Sequence, residues 1–295
     1  MKEVFTQLRH AELTYGVAET KSKLTATAFA CEVGSASNPH KYDGKILRQA
    51  QDDRKKGFTL AEVLITLTII GVVAALTIPN LIASYQKQQY VTQLKKVYTE
   101  LSQALKLMMA DEGINKITAS DTLYCDNSAG CDRDEALQRA GNDFLKKYFK
   151  VIKDCGVEYP SPCLPEGMKN INGEDIGSLS AGNYCVIIAS GYSLCVSPSS
   201  FGYPNYFLVD INGLKKPNVY GRDIFHIDYY YDGSLDDGIT PECKKGITSS
   251  HGFLCPGTPQ EVRETRFSDC CVPGTSSDYG GCFGKILNDN WKMDY

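Results

Sequence analysis

Signatures of chemistry are scarce in this sequence. Four histidines and one tryptophan occur in 295 residues, and beyond residue 57 only His226 and His251 remain. No Cys-x-x-Cys occurs either, so a tetrahedral zinc site lacks both its usual spacing and its histidines. There is no Gly-x-Ser-x-Gly elbow. His226 falls on a candidate strand and His251 in a Ser-rich loop, neither beside a marked nucleophile. Phosphate-binding loops and dinucleotide fingerprints are missing too. We therefore expect no enzyme. Internal repeats of solenoid length and low-complexity tracts are also absent. Positive charge thins out along the chain: residues 1–57 hold ten Lys/Arg against seven Asp/Glu, and residues 58–295 hold 21 against 28. An acidic distal part argues against a general phosphate-binding surface, and nucleic acid is not an expected partner.

Cysteine, by contrast, is abundant. Twelve are present, at 31, 125, 131, 155, 163, 185, 195, 243, 255, 270, 271 and 282, eleven of them in the distal part. That density suits a compartment in which disulfides persist, on the far side of a membrane. Taken in order, neighbours pair as Cys125 with Cys131, Cys155 with Cys163, Cys185 with Cys195, Cys243 with Cys255, and Cys282 with Cys270 or Cys271. Spacing leaves other connectivities open, and an odd count leaves one thiol over.

Residues 1–53 show no sustained period of 2 or 3.6 and no apolar face, so 1–57 reads as a leader or disordered segment removed on processing. A short charged leader starting near Leu47 is the usual form, which leaves Cys31 and the first ~45 residues without a role. From Phe58 to Ile82 the chain is oily, with Glu62 its only charge. Its length fits a bilayer-spanning helix of ~17–25 residues. Arg54, Lys55 and Lys56 flank it and hold that end in the cytoplasm. A buried core helix is the other reading of such a run.

The helical pattern continues over 83–113, now amphipathic. Tyr90, Val91, Leu94, Val97, Tyr98, Leu101, Ala104, Leu105 and Met108 recur mostly every three or four residues, as a stripe that packs on a domain. We expect one helix from about Thr59 to Glu112, stopped at Gly113 and loosened at Gly71 and Pro79. The remainder, 114–295, reads as an extracytoplasmic head. Strands are expected at Tyr184–Ile188, Tyr192–Val196, Tyr206–Ile211 and Ile224–Tyr231, and a short helix through Ala136, Leu137, Ala140, Phe144, Leu145, Tyr148 and Phe149. A last strand is expected around Asn288-Asp289-Asn290. The fold class is α+β: a long helix packed on a small antiparallel, disulfide-stapled head.

Lys55-Lys56-Gly57-Phe58-Thr59-Leu60-Ala61-Glu62, followed by an oily helix, is similar to the leader of type IV pilins and type II secretion pseudopilins. The resemblance implies cleavage after Gly57 by a prepilin peptidase, N-methylation of Phe58, and an assembly role for Glu62. It places Gly71 and Pro79 where the family's helix carries loosening residues. Implied partners are other pilin-like subunits, in a homo- or hetero-filament, and indirectly an assembly ATPase and a platform protein. The precursor would be a single-pass membrane protein with a cytoplasmic N-terminus, later drawn into a filament outside the membrane.

Elementary physics fits that role for Glu62. A carboxylate near the bilayer centre costs roughly 2.5–3.5 kcal/mol and normally has a partner. A neighbouring subunit's Phe58 amine is one partner; snorkelling to the headgroups is the alternative. A secretory signal peptide is a competing reading of the stretch, but its apolar core runs to roughly 7–15 residues before a small-residue cleavage site. Two alternatives for the whole chain are a minor tip pilin with an adhesive or ligand-binding head and a membrane-tethered extracellular enzyme.

In the head, Asp210, Asn212, Asp223, Asp232, Asp236 and Asp237 crowd turns between Phe207 and Gly238. The Asp-x-Asn-Gly and Gly-Arg-Asp-Ile-Phe pieces resemble a segment of pilin-like proteins with C-terminal β-domains. Some pseudopilins hold calcium there, so the resemblance makes these six candidate Ca²⁺ ligands. The order lacks the EF-hand's spacing and final Glu. The other reading is Asx-turn residues and solvated acids.

Overall fold

The computed structural model describes residues 57–125, 130–179, 181–200, 205–244, 257–272 and 280–295. The chain divides into a unit of Met1–Thr59 and a unit of Leu60–Tyr295. In the first unit the described residues Gly57, Phe58 and Thr59 are exposed and lack regular structure. Cys31, His251 and Cys255 lie outside the described residues.

The second unit begins with α1, Leu60–Asp111, a helix of 52 residues, about 78 Å long at the helical rise. It runs unbroken through Gly71 and Pro79. It ends as the sequence suggests: Gly113 takes a left-handed φ of 65°, which glycine adopts without steric cost. There the Ile114 N–H donates to the Met109 carbonyl at 2.9 Å and the Gly113 N–H to that of Ala110 at 3.2 Å, a Schellman closure. The expected stripe is the buried one: Val91, Leu94, Val97, Leu101, Ala104, Leu105 and Met108 are buried, with Tyr90 and Tyr98 packed beside them.

Next comes α2, Arg133–Arg139, capped by the Asp132 side chain. It widens into a π-helical turn at Ala140–Leu145 and closes at Lys146–Tyr148, so the expected short helix is present. The sheet follows: β1 (Val151–Gly156), β2 (Tyr184–Ile188), β3 (Ser193–Ser197), β4 (Asn205–Asp210), β5 (Ile224–Tyr229) and β6 (Leu235–Asp236). Each strand pairs antiparallel with the next, giving a six-stranded meander. β3 is buried at all five positions and β5 at all but His226, because helices cover the sheet. Phe144 stacks on Phe207 at 5.8 Å and Phe207 on Tyr229 at 4.7 Å, joining the α2 extension to the sheet's centre.

After β6 come α3, Pro259–Cys270, and α4, Cys282–Asn288. The expected strand at Asn288-Asp289-Asn290 is therefore wrong. Phe283, Ile286 and Leu287 fall at helical spacing and pack into the core, which makes this segment a helix end. The tail then returns to α1: Trp291 packs edge-on against Tyr98 at 5.2 Å, under Lys95.

Disulfides join Cys125–Cys131, Cys155–Cys163, Cys185–Cys195 and Cys271–Cys282. Cys243 is disulfide-bonded as well. Cys185 and Cys195 stand directly opposite one another in the β2–β3 register, so their bridge staples the hairpin. Of the adjacent pair, Cys271 bonds to Cys282 and Cys270 remains a thiol.

Candidate functional site

The first half of α1 is apolar and uncovered. From Leu60 to Tyr85 every residue except Ala74 is exposed, and Phe58 just before it is 88% exposed. In water such a surface costs free energy roughly in proportion to its apolar area. This is the one helix among the described residues long and apolar enough to cross a membrane. Its few polar side chains turn inward: the hydroxyls of Thr66, Thr68 and Thr77 donate to the carbonyls of Val63, Leu64 and Val73 at 3.0, 2.7 and 2.9 Å. Hydroxyls satisfied by their own helix suit a segment that meets hydrocarbon.

Glu62 lies exposed in the first turn of α1, where the helix dipole favours a carboxylate. It comes four residues after Phe58, the first residue after Gly57, so the three motif residues fall within six consecutive positions of the chain.

The acidic residues of the head have different work. Asp236 accepts from Arg263 Nε at 2.9 Å and Nη2 at 2.7 Å and lies 2.7 Å from Lys244 Nζ. Burial alone would raise its pKa, but Arg263 and Lys244 outweigh burial and hold it below the ordinary carboxylate value. Asp237 accepts from Arg266 Nε at 3.2 Å and from the Gly281 and Gly284 N–H groups at 3.0 and 2.8 Å, at the start of α4. Both carboxylates are almost fully buried. They fasten α3 and α4 to the sheet.

Asp210 and Asp223 form a second group at the β4–β5 connection. Asp223 accepts from the Asn218 and Val219 N–H groups at 2.9 and 2.7 Å and from the Asn212 side-chain amide at 3.0 Å. Its pKa still rises, because burial outweighs these donors. Asp210, also fully buried, is pushed up to about 8, by burial first and by the Asp223 charge second. Asp232 is exposed and accepts from the Ser234 N–H. The six candidate calcium ligands are thus spread over three places, and most of their oxygens already hold donors. Among the described residues no group of three or more His, Cys, Asp or Glu comes together as a metal site. The set does not fit a cage of six to eight oxygens. The Asx-turn reading holds for Asp210 and Asp232, which accept from the Asn212 and Ser234 N–H groups at 3.2 and 2.9 Å; of the five aspartates only Asp232 is solvated, the other four being buried.

His226 stacks against Tyr206 with ring centroids 4.3 Å apart and lies 3.4 Å from Asp228. Burial lowers its pKa, so it stays neutral, packed within the fold. Sequence reasoning passed over Asp228, Arg263 and Arg266. One signal was available, the Thr258-Pro259-x-Glu261 capping box that opens α3 and places both arginines on one helix.

Residues 52–78 match the model of the prokaryotic N-terminal methylation motif, the prepilin-type motif of type IV pilins and pseudopilins. No curated protein and no solved structure matches the chain. A second model, described as a family of unknown function (DUF6613), matches residues 80–294, so the stripe of α1 and the described head as far as Asp294 fall within it. The chain belongs to this family, and carries the prepilin-type methylation motif immediately ahead of it.

Proposed function

We propose that the chain is a structural subunit of a type IV pilus or a type II secretion pseudopilus, cleaved after Gly57, N-methylated at Phe58 and assembled through α1. The observation that carries this reading is the division of one helix into an uncovered apolar half and a half buried in the head. The uncovered half has two environments that suit it, a bilayer before assembly and a bundle of like helices after it. Each apolar side chain moved from water into such a bundle contributes about 1.5–3 kcal/mol. In the bundle, Glu62 meets the Phe58 amine of a neighbour, and low dielectric strengthens that pair. The subunit has no reaction of its own in this account, and the head serves as the face of the filament.

Glu62→Ala tests the assembly role in cells that carry the whole machinery. Removing one partner of a buried pair strands the other charge. The membrane fraction should hold the variant at the wild-type level while the sheared filament fraction loses it. Wild-type amounts in sheared filaments would overturn the assigned role of Glu62.

A further inference from the structure

Where α1 passes from its uncovered half into the head, the surface carries exposed cations in an otherwise acidic distal chain. Ile82 is the last aliphatic residue of the apolar stretch, and Tyr90 stands about 12 Å further along the helix axis. Arg222, Asp223 and Asp210 act electrostatically on Tyr90, which places the β4–β5 connection beside this turn of α1. The tail closes the same corner: Tyr295 donates its hydroxyl to the Gly221 carbonyl at 2.8 Å, and Lys87 Nζ donates to the Tyr295 carbonyl at 2.8 Å. Gly221 is held there by its left-handed φ of 82° and by the Cys282 sulfur, which a Cβ would strike. The connection is therefore a fixed part of the head.

Its outward side reads Leu214-Lys215-Lys216, all three exposed, followed by exposed Arg222. The carboxylates of this connection, Asp210 and Asp223, are buried beneath it. Lys215, Lys216 and Arg222 make no ion pair with any described residue. On the tail beside them, exposed Lys292 and Asp294 offset one another. Exposed Tyr85 completes the corner on α1 as an aromatic at the depth of an interface. A leucine flanked by cations, next to a membrane-length helix, suits the boundary between lipid phosphates and acyl chains.

We propose that the Leu214–Lys216 tip and Arg222 form a foot that rests the head on anionic lipid headgroups before the subunit is drawn into a filament. The inference rests on the membrane-anchored reading of α1. Two arguments select lipid as the occupant: the foot is continuous with the uncovered helix, and its cations complement anionic headgroups.

Trp291, the single tryptophan, gives an intrinsic probe of the head's distance from the bilayer. The full chain is reconstituted in phosphatidylcholine vesicles with dansyl-labelled headgroups, with and without phosphatidylglycerol, and energy transfer from Trp291 is read beside vesicle flotation. The proposal predicts higher transfer with phosphatidylglycerol, reversed by salt because screening weakens headgroup attraction. Lys215→Glu/Lys216→Glu/Arg222→Glu should lose that rise while floating normally, and the milder Lys215→Gln/Lys216→Gln should lose part of it. Equal transfer in both lipids, or a triple variant that keeps the rise, would overturn the foot and leave the anchor standing. Failure of the wild type to float with either vesicle would overturn the anchor and the foot with it.

Discussion

Asp236 accepts both near nitrogens of one guanidinium, Nε of Arg263 at 2.9 Å and Nη2 at 2.7 Å, across 27 positions of chain. Asp236 is buried and Arg263 nearly so, and the pair joins the end of the sheet to α3. Removing Arg263 takes two charge-assisted hydrogen bonds from the buried carboxylate and leaves Lys244 as its one cation, a loss of about 1–3 kcal/mol, below that of a fully stranded buried charge. We expect Arg263→Ala to destabilise the head by that order in urea unfolding. Because the folded pKa of Asp236 is depressed, its stabilisation is present above the unfolded value and lost as pH falls through the folded one. The wild type should therefore weaken in acid, and Arg263→Ala should flatten that acid limb.

Asp210 runs in the opposite direction. Its pKa is about 8 in the fold and about 3.9 in an unfolded chain. Between those values the folded state holds a proton that the unfolded state releases, so this group's contribution falls as pH rises through that window. Asp210→Asn should remove the slope, raising Tm relative to wild type more at pH 8 than near pH 5. Thermal unfolding across that range checks it.

Much of the architecture was legible because burial leaves a periodic trace. The α1 stripe, the α2 segment and four strands were all marked by apolar residues packed on one side or both. The misses share a cause. β1 is an edge strand whose Ile152, Lys153 and Asp154 are exposed, so no alternation marks it. α3 buries no residue fully, so no stripe marks it, although its capping box did. At the end of α4 the turn-like composition of Asn288-Asp289-Asn290 suggests a strand boundary, whereas the helix closes there and Asn290 takes a φ of 53°. At the N-terminus the motif was readable because it is contiguous. Asp236 and Asp237 read as turn acids because their partners, Arg263 and Arg266, lie far along the chain.

The two halves of α1 should respond differently to the same change. Leu101 is fully buried in the head, and Leu101→Ala should cost about 2–5 kcal/mol of subunit stability. Leu67 is 60% exposed, and Leu67→Ala should leave the head's urea midpoint unchanged while reducing the filament fraction. Equal effects of both changes on the midpoint would contradict the division of labour along the helix.

The Cys185–Cys195 bridge spans a sequence separation of 10 between directly paired strand residues. Replacing both by Ser should cost about 2–4 kcal/mol. Urea unfolding of the oxidised wild type against the variant checks this.

Mass spectrometry of the N-terminus of the mature chain tests the central claim most directly. Chain isolated from filaments should begin at Phe58 and carry a methyl group on its α-amine. An uncut chain, or cleavage beyond Ile78, would contradict it.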